Sequence, residues 1–189
     1  MRSQILTAVL FACVLCPAAT VAQKASNEPG GLAVSDAPAA SPLLLTAEDA
    51  AKMLPTSVFF RGLSAPIQAR NSGGIRFADK RVLLITLVDT SGYSSQVQEK
   101  YQAYLIIESA ITIEGHRLAP GAYGCGFIAG NTFVVQDVGA HDLFTAPSTR
   151  DASLHRPTPL QVLAAPGGDG AYRLYAGRNY ITFSLAGTE

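Results

Sequence analysis

The sequence predicts an all-β fold: an antiparallel β-sandwich, with a β-barrel as the alternative, and one short N-terminal helix. Three observations lead there. From Ser57 onward, short apolar runs alternate with Gly, Pro, Asn and Asp turn residues. No long apolar pattern of helical period separates these runs, which argues against parallel βαβ units. Three segments also fold back as hairpins that keep apolar residues on one face.

Residues 1–22 read as a secretory signal peptide. Arg2 supplies the positive start, Ile5 to Cys16 the apolar stretch, and Ala22 the small residue before the cut. The apolar stretch is short for an uncleaved anchor. Phe11 stands where a lipidation signal at Cys13 would want a small residue. The expected location is therefore exported, periplasmic or extracellular. No transmembrane segment is expected after cleavage, since no later stretch is long and apolar enough.

Residues 23–45 read as a flexible linker, because Lys24 to Ser41 is rich in Ala, Gly, Pro and Ser and has little apolar surface to bury. A single β-domain is expected over 46–189. Thr46 opens the helix as its cap, with Asp49 at the capping-box position, and Pro55 ends it.

The strand reading follows in order. A loop over Arg70 to Gly74 would place Ile67 opposite Phe77 and Ala69 opposite Ile75. Arg81 to Asp89 is the most continuously apolar run and should be a central strand buried on both faces. Leu118-Ala119-Pro120-Gly121 fits a turn with Gly121 at positive φ. A two-residue turn at Gly130-Asn131 would pair Phe127 with Val134. Ala176-Gly177-Arg178-Asn179 turns the last hairpin and pairs Tyr175 with Tyr180, Leu174 with Ile181 and Tyr172 with Phe183. Tyr172, Leu174, Ile181 and Phe183 then face the core, while Arg173, Tyr175, Tyr180 and Thr182 face water.

Composition limits function. With 14 basic and 14 acidic residues the chain has no net charge, and nucleic-acid binding, which needs a basic face, is not expected. At 48% hydrophobic it is not a disordered chain. Cys13 and Cys16 would leave with the signal peptide, so Cys125 would be alone and no internal disulfide could form. Flanked by glycines in an apolar strand, Cys125 reads as a small buried residue.

Candidate sites are few. Asp89 to Gln102 is a polar connection bearing Tyr93 and Tyr101, and long loops on a rigid sheet concentrate binding residues. Asp89, Tyr93 and Tyr101 are the expected ligand contacts there, against the plainer reading of one helical turn at Gln96 to Tyr101. Arg173, Tyr175 and Tyr180 could stack on a sugar ring or hold an anion. His116, Asp137, His141 and Asp142 are weak metal candidates, since their spacing matches no standard ligand set. No Gly-x-Ser-x-Gly elbow or cupin-type His-x-His is present, so no catalytic residue and no cofactor is assigned.

The stretch from Leu118 to Gly124, a Pro-Gly turn leading into a Tyr-bearing strand, resembles an element of small exported bacterial β-sandwich proteins of unknown function. Tyr172 to Tyr180 resembles a segment of similar proteins. The resemblance implies export and β-architecture and transfers no catalytic residue. The functional expectation is a non-enzymatic exported module that binds a small molecule or glycan. The alternatives are a structural or interaction protein with an envelope-protein partner, and a metal-dependent enzyme.

Overall fold

Strand side chains point alternately to opposite faces, so a run that is apolar at every position needs cover on both sides. Val82–Val88 is such a run at every position but Thr86, whose hydroxyl accepts from Ser72 Oγ at 2.8 Å, and it lies inside the larger of two sheets. The computed structural model describes residues 41–168 and 170–187; the expected signal peptide and the linker as far as residue 40 lie outside them.

The chain begins with β1 (Leu43–Leu45), α1 (Ala47–Met53), β2 (Ser57–Phe60), β3 (Leu63–Arg76) and β4 (Val82–Val88). Next come α2 (Ser95–Lys100), β5 (Ala103–Ile107), β6 (Ile111–Ile113), β7 (His116–Leu118) and β8 (Gly121–Ile128). The remainder is β9 (Thr132–Gln136), β10 (Asp142–Pro147), β11 (Thr149–Arg150), β12 (Gln161–Ala164), β13 (Ala171–Ala176) and β14 (Asn179–Leu185). The larger sheet runs β1-β3-β4-β5-β8-β9-β10, with β2 paired to β3. The smaller runs β12-β13-β14-β6-β7, with β11 paired to β14. Every pairing is antiparallel, and neither sheet closes into a barrel among the described residues.

One core joins the two sheets. Leu83, Ile85, Leu105 and Val135 from the larger meet Ile111, Leu174, Ile181 and Phe183 from the smaller. Burying each such side chain contributes about 1.5–3 kcal/mol. The alternate residues of the larger sheet face away from this core. Val82 and Leu84 pack with Ala50 and Leu54 of the α1 region. Val88 and Tyr104 pack with Phe60, Tyr93, Val97 and Tyr101 near α2. At α1, the Asp49 N–H donates to Thr46 Oγ1 at 3.2 Å, and Glu48 and Asp49 sit in the first turn.

Four sequence expectations are corrected. The linker does not reach residue 45: Leu43 to Leu45 pair with Gly74 to Arg76 as an edge strand, which buries Leu45 against Ala50, Leu54, Val82 and Leu84. Asn71 to Gly74 is strand, not turn. β3 pairs Gln68 with Leu87 and then Ser72 with Thr86, so residues 69–71 bulge out and the chain turns only at Phe77 to Arg81. Gly74 is there for close approach, since a Cβ on it would collide with the Leu83 carbonyl oxygen of β4. Gly121 lies in β8 opposite Ile107 and has no positive φ; the left-handed pair is Glu114-Gly115, between β6 and β7. The β8–β9 hairpin is one residue longer at its loop than expected, and Phe127 pairs with Phe133 rather than Val134. The last hairpin has the expected register, Tyr172 with Phe183, Leu174 with Ile181 and Tyr175 with Tyr180.

Candidate functional site

A half-open cavity lies at one end of the larger sheet. It has a volume of about 480 Å³ and is lined by Arg61, Gln96, Lys100, Gln136, His141 and Asp142, among others. Four pieces of chain supply these residues: the β2–β3 turn, α2, the end of β9, and the β9–β10 connection running into β10. The Arg61 N–H donates to the Val138 carbonyl at 2.7 Å, tying the β2–β3 turn to the β9–β10 connection.

Most of the charged groups here are already paired. Lys100 Nζ lies 2.5 Å from Asp142 Oδ2. Gln136 Nε2 donates to Asp142 Oδ1 at 2.7 Å. Together these donors hold the Asp142 carboxyl below the usual carboxylate range, the Lys100 hydrogen bond contributing most. Asp137 Oδ1 accepts the backbone N–H groups of His141 and Gly139, and Oδ2 lies 2.9 Å from His141 Nδ1. The His141 backbone and ring donors lower the Asp137 pKa. Arg61 makes no ion pair among the described residues. Gln136 is buried, and its Oε1 has no hydrogen-bond partner among the described residues.

The cavity wall also holds unusual backbone. Arg61 has φ 47° and Ala140 has φ 69°, both in the left-handed region that L side chains disfavour by roughly 1–2 kcal/mol. Arg61 and Gly62, at φ 80°, are the two central residues of the β2–β3 hairpin, a turn that calls for positive φ at both positions.

The expected ligand contacts in Asp89 to Gln102 are placed differently. The connection does reach the cavity, but through Gln96, Val97 and Lys100 of α2. Tyr101 is fully buried and stacks on Phe60 with ring centroids 3.8 Å apart. Burial pushes its phenol far above the ordinary value. Tyr93 is 8% exposed, and its hydroxyl reaches the carbonyls of Phe60 at 3.0 Å and Leu63 at 3.2 Å. Those carbonyls flank Arg61-Gly62, so Tyr93 clamps the turn that carries Arg61. Asp89 accepts the Ser91 N–H at 3.0 Å and shapes its own turn outside the cavity lining. The tyrosines are buried because they have apolar partners: Phe60 lies beneath them and Gly124 leaves room for the stack.

Arg173, Tyr175 and Tyr180 do come together, on the smaller sheet and away from the cavity. The Arg173 guanidinium lies 4.2 Å from the Tyr180 ring centroid. Arg173 Nη1 donates to Tyr175 Oη at 3.3 Å, and Tyr175 Oη donates to Asp151 Oδ2 at 2.9 Å. The expectation that this face meets water fails for Tyr175, which is 3% exposed. Asp151, following β11, covers it, and Arg178 holds that segment by donating to the carbonyls of Ala152 and Leu154. Hydrogen bonds from Ser153 and then Tyr175 lower the Asp151 pKa.

The four metal candidates are not assembled. Asp137 binds His141 and Asp142 binds Lys100, while His116 on β7 stacks against Phe144 with ring centroids 4.6 Å apart. Among the described residues no three His, Cys, Asp or Glu side chains are placed to share a metal ion. Cys125 faces the core between the sheets, and burial pushes its thiol up to about 12.

Sequence reasoning missed Arg61, Gln96, Lys100 and Gln136. The signals available were the Arg61-Gly62 turn and the helical spacing of Gln96 and Lys100, which places them on one side of α2. Compared with known proteins, the chain matches no family model, no curated protein and no solved structure.

Proposed function

We propose that this chain is an exported, non-enzymatic binding module for a small molecule or glycan, folded as a β-sandwich, with its ligand held in the cavity at the α2 end. The carrying observation is that cavity: polar side chains from four pieces of chain converge there, on backbone fixed by cross-connections. Its volume falls within the roughly 300–1,000 Å³ of small-molecule sites. The shared core of the two sheets supports the sandwich reading. The apolar run behind Arg2 supports export.

A thermal-shift screen against sugars, lipids, nucleotides and divalent metals tests the reading. A ligand at 100 times its dissociation constant stabilises the native state by about 2.7 kcal/mol. The expected result is a raised Tm with one ligand class, lost in Lys100→Met. A screen with no shift overturns it.

A second reading, docking to an envelope protein, is favoured by one feature. Phe59 and Leu63, on either side of the Arg61-Gly62 turn, are 58% and 48% exposed. Co-purification from envelope extract that disappears in Phe59→Ser would favour this reading over the first.

A further inference from the structure

Gln102 stands between the end of α2 and the start of β5, and its side chain continues the β5–β8 ladder. Its backbone N–H donates to the Cys125 carbonyl at 3.0 Å. Its Oε1 accepts the Phe127 N–H at 3.1 Å, and its Nε2 donates to the Phe127 carbonyl at 3.0 Å. The same Nε2 donates to the Glu99 carbonyl of α2 at 2.9 Å. One amide thereby ties the last turn of α2 to β8, and it uses both donors and its acceptor to do so. An ionised glutamate lacks the donors and a lysine lacks the acceptor. Gly126 is the other half of this seat. It is buried in β8, and a Cβ on it would collide with the Lys100 carbonyl oxygen. That oxygen is backbone, so a larger residue must displace the end of the helix and not the tip of a side chain. Gly126 has no positive φ, so lack of space, not backbone conformation, calls for glycine here.

We propose that Gly126 and Gln102 are positioning residues of the cavity: they fix the end of α2 on β8 and so hold Lys100 against Asp142 of β10. Calling the cavity a ligand site rests on the binding reading above. Neither residue lines the cavity. They act through α2, whose Gln96, Val97 and Lys100 form one wall, opposite Gly139 to Asp142 on the β9–β10 side. The height of α2 above β8 therefore sets the distance between the walls. Lys100 is the last residue of α2, next to the carbonyl that rests on Gly126, so its ammonium reports that height through its 2.5 Å contact with Asp142. The other charged groups around Asp142 sit on other elements: Arg61 on the β2–β3 turn, and His141 with its partner Asp137 on the β9–β10 connection. Gln136 of β9 holds the second Asp142 oxygen.

The test is an NMR titration of the Asp142 carboxyl in the full chain and in Gly126→Ala, Gln102→Met, Lys100→Met and Gly92→Ala, with Tm recorded for each. The Lys100 hydrogen bond is the main cause of the low Asp142 pKa, so Lys100→Met shows the rise that follows loss of the pair. Gly126→Ala and Gln102→Met are each expected to raise the Asp142 pKa toward the ordinary carboxylate range by most of that amount. Gly92→Ala adds a methyl group that meets nothing within 4 Å and should leave the titration unchanged. An unchanged Asp142 titration in folded Gly126→Ala overturns the role of Gly126, and one in Gln102→Met overturns that of Gln102. If either variant fails to fold, the other still decides whether α2 is seated on β8 as proposed. An equal rise in Gly92→Ala overturns the proposal, since it would trace to the loop before α2. The titrations are read without ligand, so their failure leaves the binding reading standing. Repeating the thermal-shift screen on Gly126→Ala tests the link to binding. The compound that raises the Tm of the unaltered chain should raise that of the variant by less, and an equal rise overturns the link. Silence of the unaltered chain across the screen overturns the binding reading, while the titrations still decide the seat.

Discussion

The molecule assembles arginine, aspartate and tyrosine in two places, and the two assemblies do opposite things with them. On the smaller sheet, Arg173, Asp151, Tyr175 and Tyr180 contact one another: the arginine stacks on one tyrosine, donates to the other, and that tyrosine donates to the aspartate, while Arg173 Nε is buried without a partner among the described residues. At the α2 end, the tyrosines turn inward onto Phe60, and Arg61 has no ionic partner among the described residues. Residue type alone does not separate a structural pin from a site. What separates them is their surroundings: Arg173 is held by Tyr175, Tyr180 and Asp151, whereas Arg61 is exposed on its turn and makes no ion pair among the described residues.

The comparison can be broken in four ways. Phe60→Ala removes the ring under Tyr101 and should cost about 3–5 kcal/mol, measured by urea unfolding. It should also abolish any ligand-induced rise in Tm, because Phe60 immediately precedes Arg61. A loss below 1 kcal/mol would mean that the stack does not support the turn.

The two buried tyrosines should then respond with opposite signs to the same substitution. Tyr175→Phe takes the hydroxyl donor from Asp151 and should destabilise by about 1–2 kcal/mol. Tyr101→Phe removes a buried hydroxyl with no partner among the described residues and should stabilise by up to about 1 kcal/mol. Equal effects in chemical denaturation would erase the distinction between the assemblies.

Acid should weaken both. Asp142 and Asp151 have folded pKa values below the ordinary carboxylate range, held there chiefly by hydrogen bonds from Lys100 and from Ser153, respectively. As pH falls, the unfolded chain takes up these protons first. The stability they confer is therefore present above about pH 4 and is lost as pH drops through the lower native values. Asp151→Asn should flatten this acid limb more than Asp142→Asn, since the Asp151 side chain is 16% exposed against 41% for Asp142. Urea midpoints from neutral to strongly acid pH would show it.

The smallest effect is expected at Ala140. Ala140→Gly relieves a left-handed alanine at some cost in unfolded-chain entropy, for a net gain below about 1 kcal/mol. A loss of stability there would show that the methyl group contributes packing to the cavity wall.

The sequence revealed the architecture where signals are local. The last hairpin was readable because one turn and the alternation of Tyr172, Leu174, Ile181 and Phe183 fix its register together. Val82 to Val88 was readable as central because its apolar run has no polar face. Asn71 to Gly74 misled because glycine marks both turns and close backbone contacts, and only the position of Leu83 decides between them. The site was less legible for the same reason. Tyr93 and Tyr101 look like surface aromatics until Phe60, more than thirty residues earlier, is brought against them. Arg61 looks like a turn residue until the β9–β10 connection arrives beside it.

The chain contains no tryptophan, so its tyrosines dominate the long-wavelength ultraviolet signal. Tyr93 and Tyr101 meet edge to face at 5.4 Å, in a rigid chiral array with Phe60 directly beneath the Arg61 turn. Near-ultraviolet circular dichroism is thereby an unlabelled optical signal to which this end of the molecule contributes, and Tyr101→Phe and Tyr180→Phe difference spectra would separate its share from that of the Tyr175–Tyr180 pair.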